Sequence, residues 1–128
     1  VDNTGSIAVF PPLNTEVTVA SVTQNVTAGN LLKIDYALAY EGIFTANWTV
    51  TVEFRVYRDG TLITTRTLNR SGSAAATNRF PVGNTYVDTA PTTASSTYEL
   101  RVITTAATNM TSATAVNRYM NIIQFITS

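Results

Sequence analysis

Cysteine and histidine are both absent from this chain of 128 residues, and Lys33 is its one lysine. Without cysteine there is no disulfide framework and no thiolate zinc site. Without histidine the commonest general base and transition-metal ligand is missing. Charge of either sign is scarce: 12% of residues are charged and the formal net charge is zero. Nucleic-acid binding draws on a basic stripe that displaces counterions, and Lys33 with seven scattered arginines does not make one. No apolar run approaches the ~20 residues of a membrane-spanning helix, and no signal-peptide pattern follows Val1. The expected partners therefore include neither nucleic acid nor a membrane, and no cofactor or metal is expected.

Threonine fills much of the gap, at about a fifth of the chain, with Asn, Ser, Ala and Val behind it. Few charges and many β-branched hydroxyl residues describe a β-protein with a neutral polar surface. Such surfaces suit coats, fibres and shells, because soluble monomers usually carry more net charge. The length suits one domain with a substantial core.

Period-two alternation runs throughout. In "LLKIDYALAY" Leu32, Ile34, Tyr36, Leu38 and Tyr40 share one face, after a polar turn at residues 27–30. In "NWTVTVEFRVY" Trp48, Val50, Val52, Phe54 and Val56 point inward, and Thr49, Thr51, Glu53, Arg55 and Tyr57 outward. Asp59-Gly60 then supplies the positive φ of a tight hairpin. Residues 70–76 read as a loop. "NRFPVGNTYVD" reads as an edge strand because of Pro81, with a bulge at Gly83. Residues 108–111 read as a turn, and "AVNRYMNIIQFI" as a long last strand, apolar on both phases. The expected fold is all-β, an antiparallel β-sandwich, with a jelly roll favoured over an immunoglobulin-like order. The expected division is an N-terminal extension or arm over residues 1–14, broken by Pro11-Pro12, and a single sandwich over 15–128. The other reading of the first segment is a first strand of the same sheet.

"YVDTAPTTASSTYELRV" reads as a crossover between sheets. Asp88 and Pro91 make the turn, and Tyr98 plugs the core with its hydroxyl bonded to the crossing backbone. The rival is a carboxylate site built from Asp88 and Glu99.

The order "RDGTLI … YVDTAP … STYELRV … NRYMNIIQF" resembles TNF-like jelly-roll modules of bacterial spore-surface and phage structural proteins, over roughly residues 17–126. That resemblance implies a homotrimer with the last strands near the threefold axis, and it implies no catalytic residue. The chain departs from the pattern in lacking a Gly-Asp turn before a late strand. The Pro-Thr…Tyr pattern is also similar to fibronectin type III and immunoglobulin-like domains.

Among chemistry-bearing residues, Asp35, Glu53 and Glu99 could converge on one sheet face, as a glycosidase requires of two acids. Pairing with Lys33, Arg55 and Arg101 is the expected alternative. Asp59, Asp88 and Asn84 are hard-metal donor types in loops, without the acid density of a calcium site. Tyr57 and Tyr119 stand on outward phases and are the candidate ligand-facing aromatics for a glycan, whereas Tyr36, Tyr40 and Trp48 belong to the core. Four glycosylation sequons begin at Asn25, Asn47, Asn69 and Asn109. The candidate subunit contacts are Tyr119, Ile123 and Phe125 of the last strand, with Ile7, Val9 and Phe10 of the N-terminal segment. The expected function is a non-enzymatic surface module that self-assembles, as a trimer, in a coat, capsid, fibre or appendage. It would be extracellular or on the surface of a spore, virion or appendage. The alternative is a carbohydrate-binding or receptor-binding sandwich.

Overall fold

The computed structural model describes residues 2, 3 and 5–126. Its strands are β1 (Asp2–Asn3), β2 (Ile7–Phe10), β3 (Val17–Val26), β4 (Leu31–Arg58), β5 (Thr61–Gly72), β6 (Ala76–Thr89) and β7 (Ala94–Phe125). Every pairing among them is antiparallel.

Two of these strands are long enough to serve in two sheets. β4 and β7 pair from Leu31↔Phe125 to Phe44↔Met110, then resume at Thr49↔Thr108 and continue to Arg58↔Tyr98. Between the two stretches, residues 45–48 stand opposite Asn109 alone. The paired ribbon folds over at that point. Asn47 and Asn109 take the left-handed φ values of 60° and 55° that the fold requires, which Asn tolerates better than most side chains. The Asn109 amide donates to the carbonyls of Ala46 at 2.9 Å and Asn47 at 3.0 Å. Thr45 Oγ1 donates back to the Asn109 carbonyl. The expected turn at residues 108–111 is therefore a kink inside a continuous strand. The polar cluster that reads as a turn supplies positive φ at a sheet corner instead.

Each half of the ribbon gains a strand on either side. The first sheet runs β3, residues 94–108 of β7, residues 48–58 of β4, β5. The second runs β1 and β2, residues 110–125 of β7, residues 31–44 of β4, β6. Numbered along the chain as eight segments, the orders are 2-7-4-5 and 1-8-3-6. That is the order of a jelly roll and not of an immunoglobulin-like sandwich. Ile7–Phe10 is hydrogen-bonded into the second sheet as its outer strand.

The inner faces follow the alternation read from sequence. Leu32, Ile34, Tyr36, Leu38 and Tyr40 meet Trp48, Val50, Val52, Phe54 and Val56 in one core. Tyr40 and Phe54 pack edge to face, 6.5 Å between centroids. The buried Tyr40 hydroxyl bonds Thr104 Oγ1 of the opposite sheet at 2.8 Å, and burial pushes its pKa up to about 12. Phe44 and Trp48 stack at 3.9 Å just inside the corner. Gly72 lies under the Trp48 ring, where an added Cβ would come within 2.6 Å of the indole.

The hairpin at Asp59-Gly60 forms as expected, with φ 49° and 83° and two residues between β4 and β5. The polar turn at residues 27–30 also forms, around Gly29 at φ 86°. Two expectations fail. Gly83 pairs with Ala37 in unbroken register, so β6 has no bulge there. β5 extends to Gly72, which shortens the expected loop. In both places cross-strand pairing overrides the local preference of small residues.

Phe54 is fully buried, and Phe54→Ala should cost about 3–5 kcal/mol, the usual range for truncating a core aromatic. Urea unfolding measures it. A loss under about 0.5 kcal/mol, the scale of ordinary surface substitutions, would place Phe54 outside the core.

Candidate functional site

Asp88 is buried at the end of β6. Arg58 Nη1, at the end of β4, donates to both of its oxygens at 2.6 Å. The Tyr98 hydroxyl donates to Oδ2 at 2.9 Å. Burial first, and then the neighbouring carboxylate, push that hydroxyl well above its ordinary range. Tyr98 plugs the core as expected, but its partner is the Asp88 side chain rather than the backbone. A carboxylate that accepts a guanidinium and a phenol stabilises both, and a backbone carbonyl cannot match it electrostatically. The rival site of Asp88 with Glu99 does not assemble, since Glu99 pairs with Arg101 at 2.6 Å.

Glu53 and Glu99 lie on adjacent strands of the first sheet, whereas Asp35 lies in the second, beside Lys33 at 3.8 Å. The three acids do not converge. Sequence reasoning missed Glu16, which sits between the arginines. It accepts from Arg55 Nη1 at 2.7 Å, from Arg101 Nη1 at 3.2 Å and from the Tyr57 hydroxyl. Arg55 also holds Glu53, and Arg101 also holds Glu99. The outcome is a ladder of alternating charge, Glu53–Arg55–Glu16–Arg101–Glu99, across the outer face. The Tyr57 hydroxyl foremost, and then the two guanidinium groups, hold Glu16 below its ordinary 4.5 against the opposing effect of burial. Among the described residues no three acids gather as a metal cluster.

Of the ligand-facing aromatics, Tyr57 has the Arg101 guanidinium over its ring at 4.0 Å, and Tyr119 is half-exposed on β7. The sequon Asn109 uses its amide to hold the corner.

The least satisfied surface is the outer face of the second sheet, at the end remote from the corner. Register alone builds it. Leu31 opposes Phe125, and Lys33 opposes Ile123 on one side and Val87 on the other. Leu31, Val87, Ile123 and Phe125 are 41%, 53%, 45% and 48% exposed. Farther along the same face Ala37 stands between Tyr119 and Gly83, and a shallow trough runs over Ala37, Ala39, Gly83 and Asn117. Gln124, between Ile123 and Phe125, anchors the strand end: its Oε1 accepts from Thr27 N and Asn30 Nδ2, and its Nε2 donates to Asn25 O. Of the expected contacts, Tyr119, Ile123 and Phe125 fall on this face. Val9 is buried in the chain's own core at 2% exposure, so it does not face outward, and Ile7 and Phe10 pack half-buried against that core. Leu31 and Val87 were missed because each stands in an alternating strand whose outer phase otherwise carries polar or small residues.

No family model matches the chain, and no curated protein does. Solved structures with a similar course include the VP2 subviral particle of infectious bursal disease virus, at 18% identity and a TM-score of 0.44, over 95% of this chain and 30% of that one. The Gx strain of the same virus is similar at 16% identity and a TM-score of 0.43, over 94% of this chain and 32% of that one. This chain thus spans under a third of those proteins. At such values the jelly-roll assignment rests on strand order alone.

Two predictions follow from the charges. Arg58→Met strips the buried Asp88 of its cation and should cost about 3–5 kcal/mol, whereas Tyr98→Phe removes one charge-assisted bond and should cost about 1.5–3 kcal/mol. Denaturant titration of both variants would contradict this if the order reversed. Glu16 is more acidic folded than unfolded, so its contribution is present above pH 4.5 and is lost as pH falls below it. Glu16→Gln should be less stable at pH 7 and should lose less stability than the parent on acidification. Parallel acid profiles for the two would refute the role.

Proposed function

We propose that this chain is a non-enzymatic structural module that assembles with copies of itself through the outer face of the second sheet. The observation that carries the reading is the exposed cluster of Leu31, Val87, Ile123 and Phe125. Large apolar side chains drawn from three neighbouring strands form a contiguous patch, of a kind that marks interaction sites. The charges on the face are already matched, Lys33 by Asp35, and Thr85 Oγ1 donates to Asp35 as well. The face therefore has no net charge with which to select a charged partner. A second copy brings the same neutral apolar surface, and closed symmetric assemblies bury such a patch on every subunit.

The resemblance to TNF-like jelly-roll modules favours three copies, with the ends of β7 gathered about a threefold axis. Tyr119, Ile123 and Phe125 would stand at the contact, as part of a particle surface, coat or appendage. An external or particle-surface location agrees with a neutral, threonine-rich exterior.

Sedimentation at tens of micromolar tests this. The parent should run as one trimeric species whose unfolding midpoint rises with protein concentration, and the double variant Ile123→Asp with Phe125→Asp as a folded monomer whose midpoint is lower and independent of concentration. A monomeric parent would overturn the proposal.

A further inference from the structure

β5 breaks the binary pattern on its inner phase. Its inward positions oppose Val50, Val52 and Phe54 of β4, yet they carry Arg70, Leu68 and Arg66. Only Leu68 behaves as a core residue. Arginine on the inner phase of a sandwich strand calls for a reason.

The site these arginines border is a polar cleft of about 210 Å³ on the open side of the sandwich. One wall is the edge strand β5, the other is Pro81, Val82 and Gly83 of the edge strand β6, and Phe54 lies on its floor side. Four of the seven arginines, Arg55, Arg58, Arg79 and Arg101, are spent on carboxylates of this chain. Among the described residues Arg66 and Arg70 have no acid partner, and Arg70 Nη1 donates to the Asn69 carbonyl at 2.8 Å. Nearby, on β4, Tyr36 pairs with Asn84 of the β6 wall. Its hydroxyl is buried without a completed hydrogen bond. Burial raises its pKa, and the neighbouring Asn84 side chain first, then the positive charge of Arg66, act the other way.

We propose that this cleft is an oxyanion site, in which Arg66 and Arg70 hold a tetrahedral sulfate or phosphate group between them. Four residues along an extended strand separate their Cα atoms by about 13 Å, so the two long side chains approach a shared ligand from different directions. A tetrahedral anion offers oxygens to both forks, whereas a planar carboxylate matches one fork at a time. The walls add the outward N–H groups of an edge strand. The volume accepts the anion with part of a sugar ring attached, so the source is either the free ion or a sulfated or phosphorylated saccharide. This site is separate from the apolar face and stands or falls independently of self-assembly.

Inward charges also guard an edge strand against pairing with other chains. That duty requires a cation but no particular donor geometry, so lysine separates the two roles. Titration of the 15N-labelled protein with inorganic sulfate, and then with a sulfated disaccharide, both at ionic strength fixed with chloride, provides the test. Saturable shifts should appear at the Arg66 and Arg70 side-chain N–H signals and at the backbone amides of Val82 and Gly83. The variant Arg66→Lys with Arg70→Lys, equal in charge, should bind about tenfold more weakly, the loss expected when bidentate forks become point charges. Tighter binding of the disaccharide assigns the saccharide as source, and equal binding assigns the free ion. Shifts that do not saturate, or that are unchanged in the lysine variant, overturn the site.

Discussion

The antiparallel ribbon of β4 and β7 is the constraint on which the rest of the molecule depends. It is paired over nearly its whole length and folded once, where residues 45–48 face Asn109. Folding one ribbon across itself creates two facing sheets at once, and every other strand is an addition to one side of it. At the fold, chain continuity and the Phe44–Trp48 stack hold the sheets together. At the far end two chain segments, residues 27–30 and 90–93, cross between the sheets, bonded to each other from Gly29 N to Ala90 O and from Ala90 N to Asn30 O. There Arg58 and Tyr98 of the first sheet converge on Asp88 of the second. A buried ion pair seldom gives net stability over an apolar one, but breaking it is costly. It ties β4 and β7 of the first sheet to the end of β6, beside the chain crossings at that end.

Charge in this protein is mostly consumed internally. The Glu16 ladder sets two guanidinium groups between three carboxylates on one outer face, and Lys33 pairs with Asp35 on the other. Among the described residues, two features stand outside this matching: the apolar cluster near the end of β7, and Arg66 and Arg70 at the mouth between β5 and β6.

Much of the fold was legible because alternation is a local signal. The inner faces of β4 and the hairpin at Asp59-Gly60 needed only period two and one turn dipeptide. The corner was not legible, since Asn-rich segments code equally for a turn between strands and for positive φ inside one. Only the pairing of Thr49 with Thr108 decides between them. Glu16 and Leu31 were hidden for a related reason. Glu16 lies in the segment ahead of β3, 39 residues from Arg55 in sequence, and Leu31 becomes part of an apolar face only when register sets it beside Phe125. Ile123 and Phe125 were visible because their own strand is apolar on both phases. Tyr98 was placed correctly in the core, but its partner turned on where Asp88 ends up, which is a tertiary fact.

The central claim is that the folded ribbon is one cooperative element across both sheets. Native-state hydrogen exchange tests it most directly. The account predicts that amides in both halves of β4 and β7 exchange together, as the slowest group and at the free energy of global unfolding, with the edge strands β5 and β6 opening earlier. If the two halves of the ribbon exchanged as separate units, one sheet melting while the other stayed protected, the account would be contradicted.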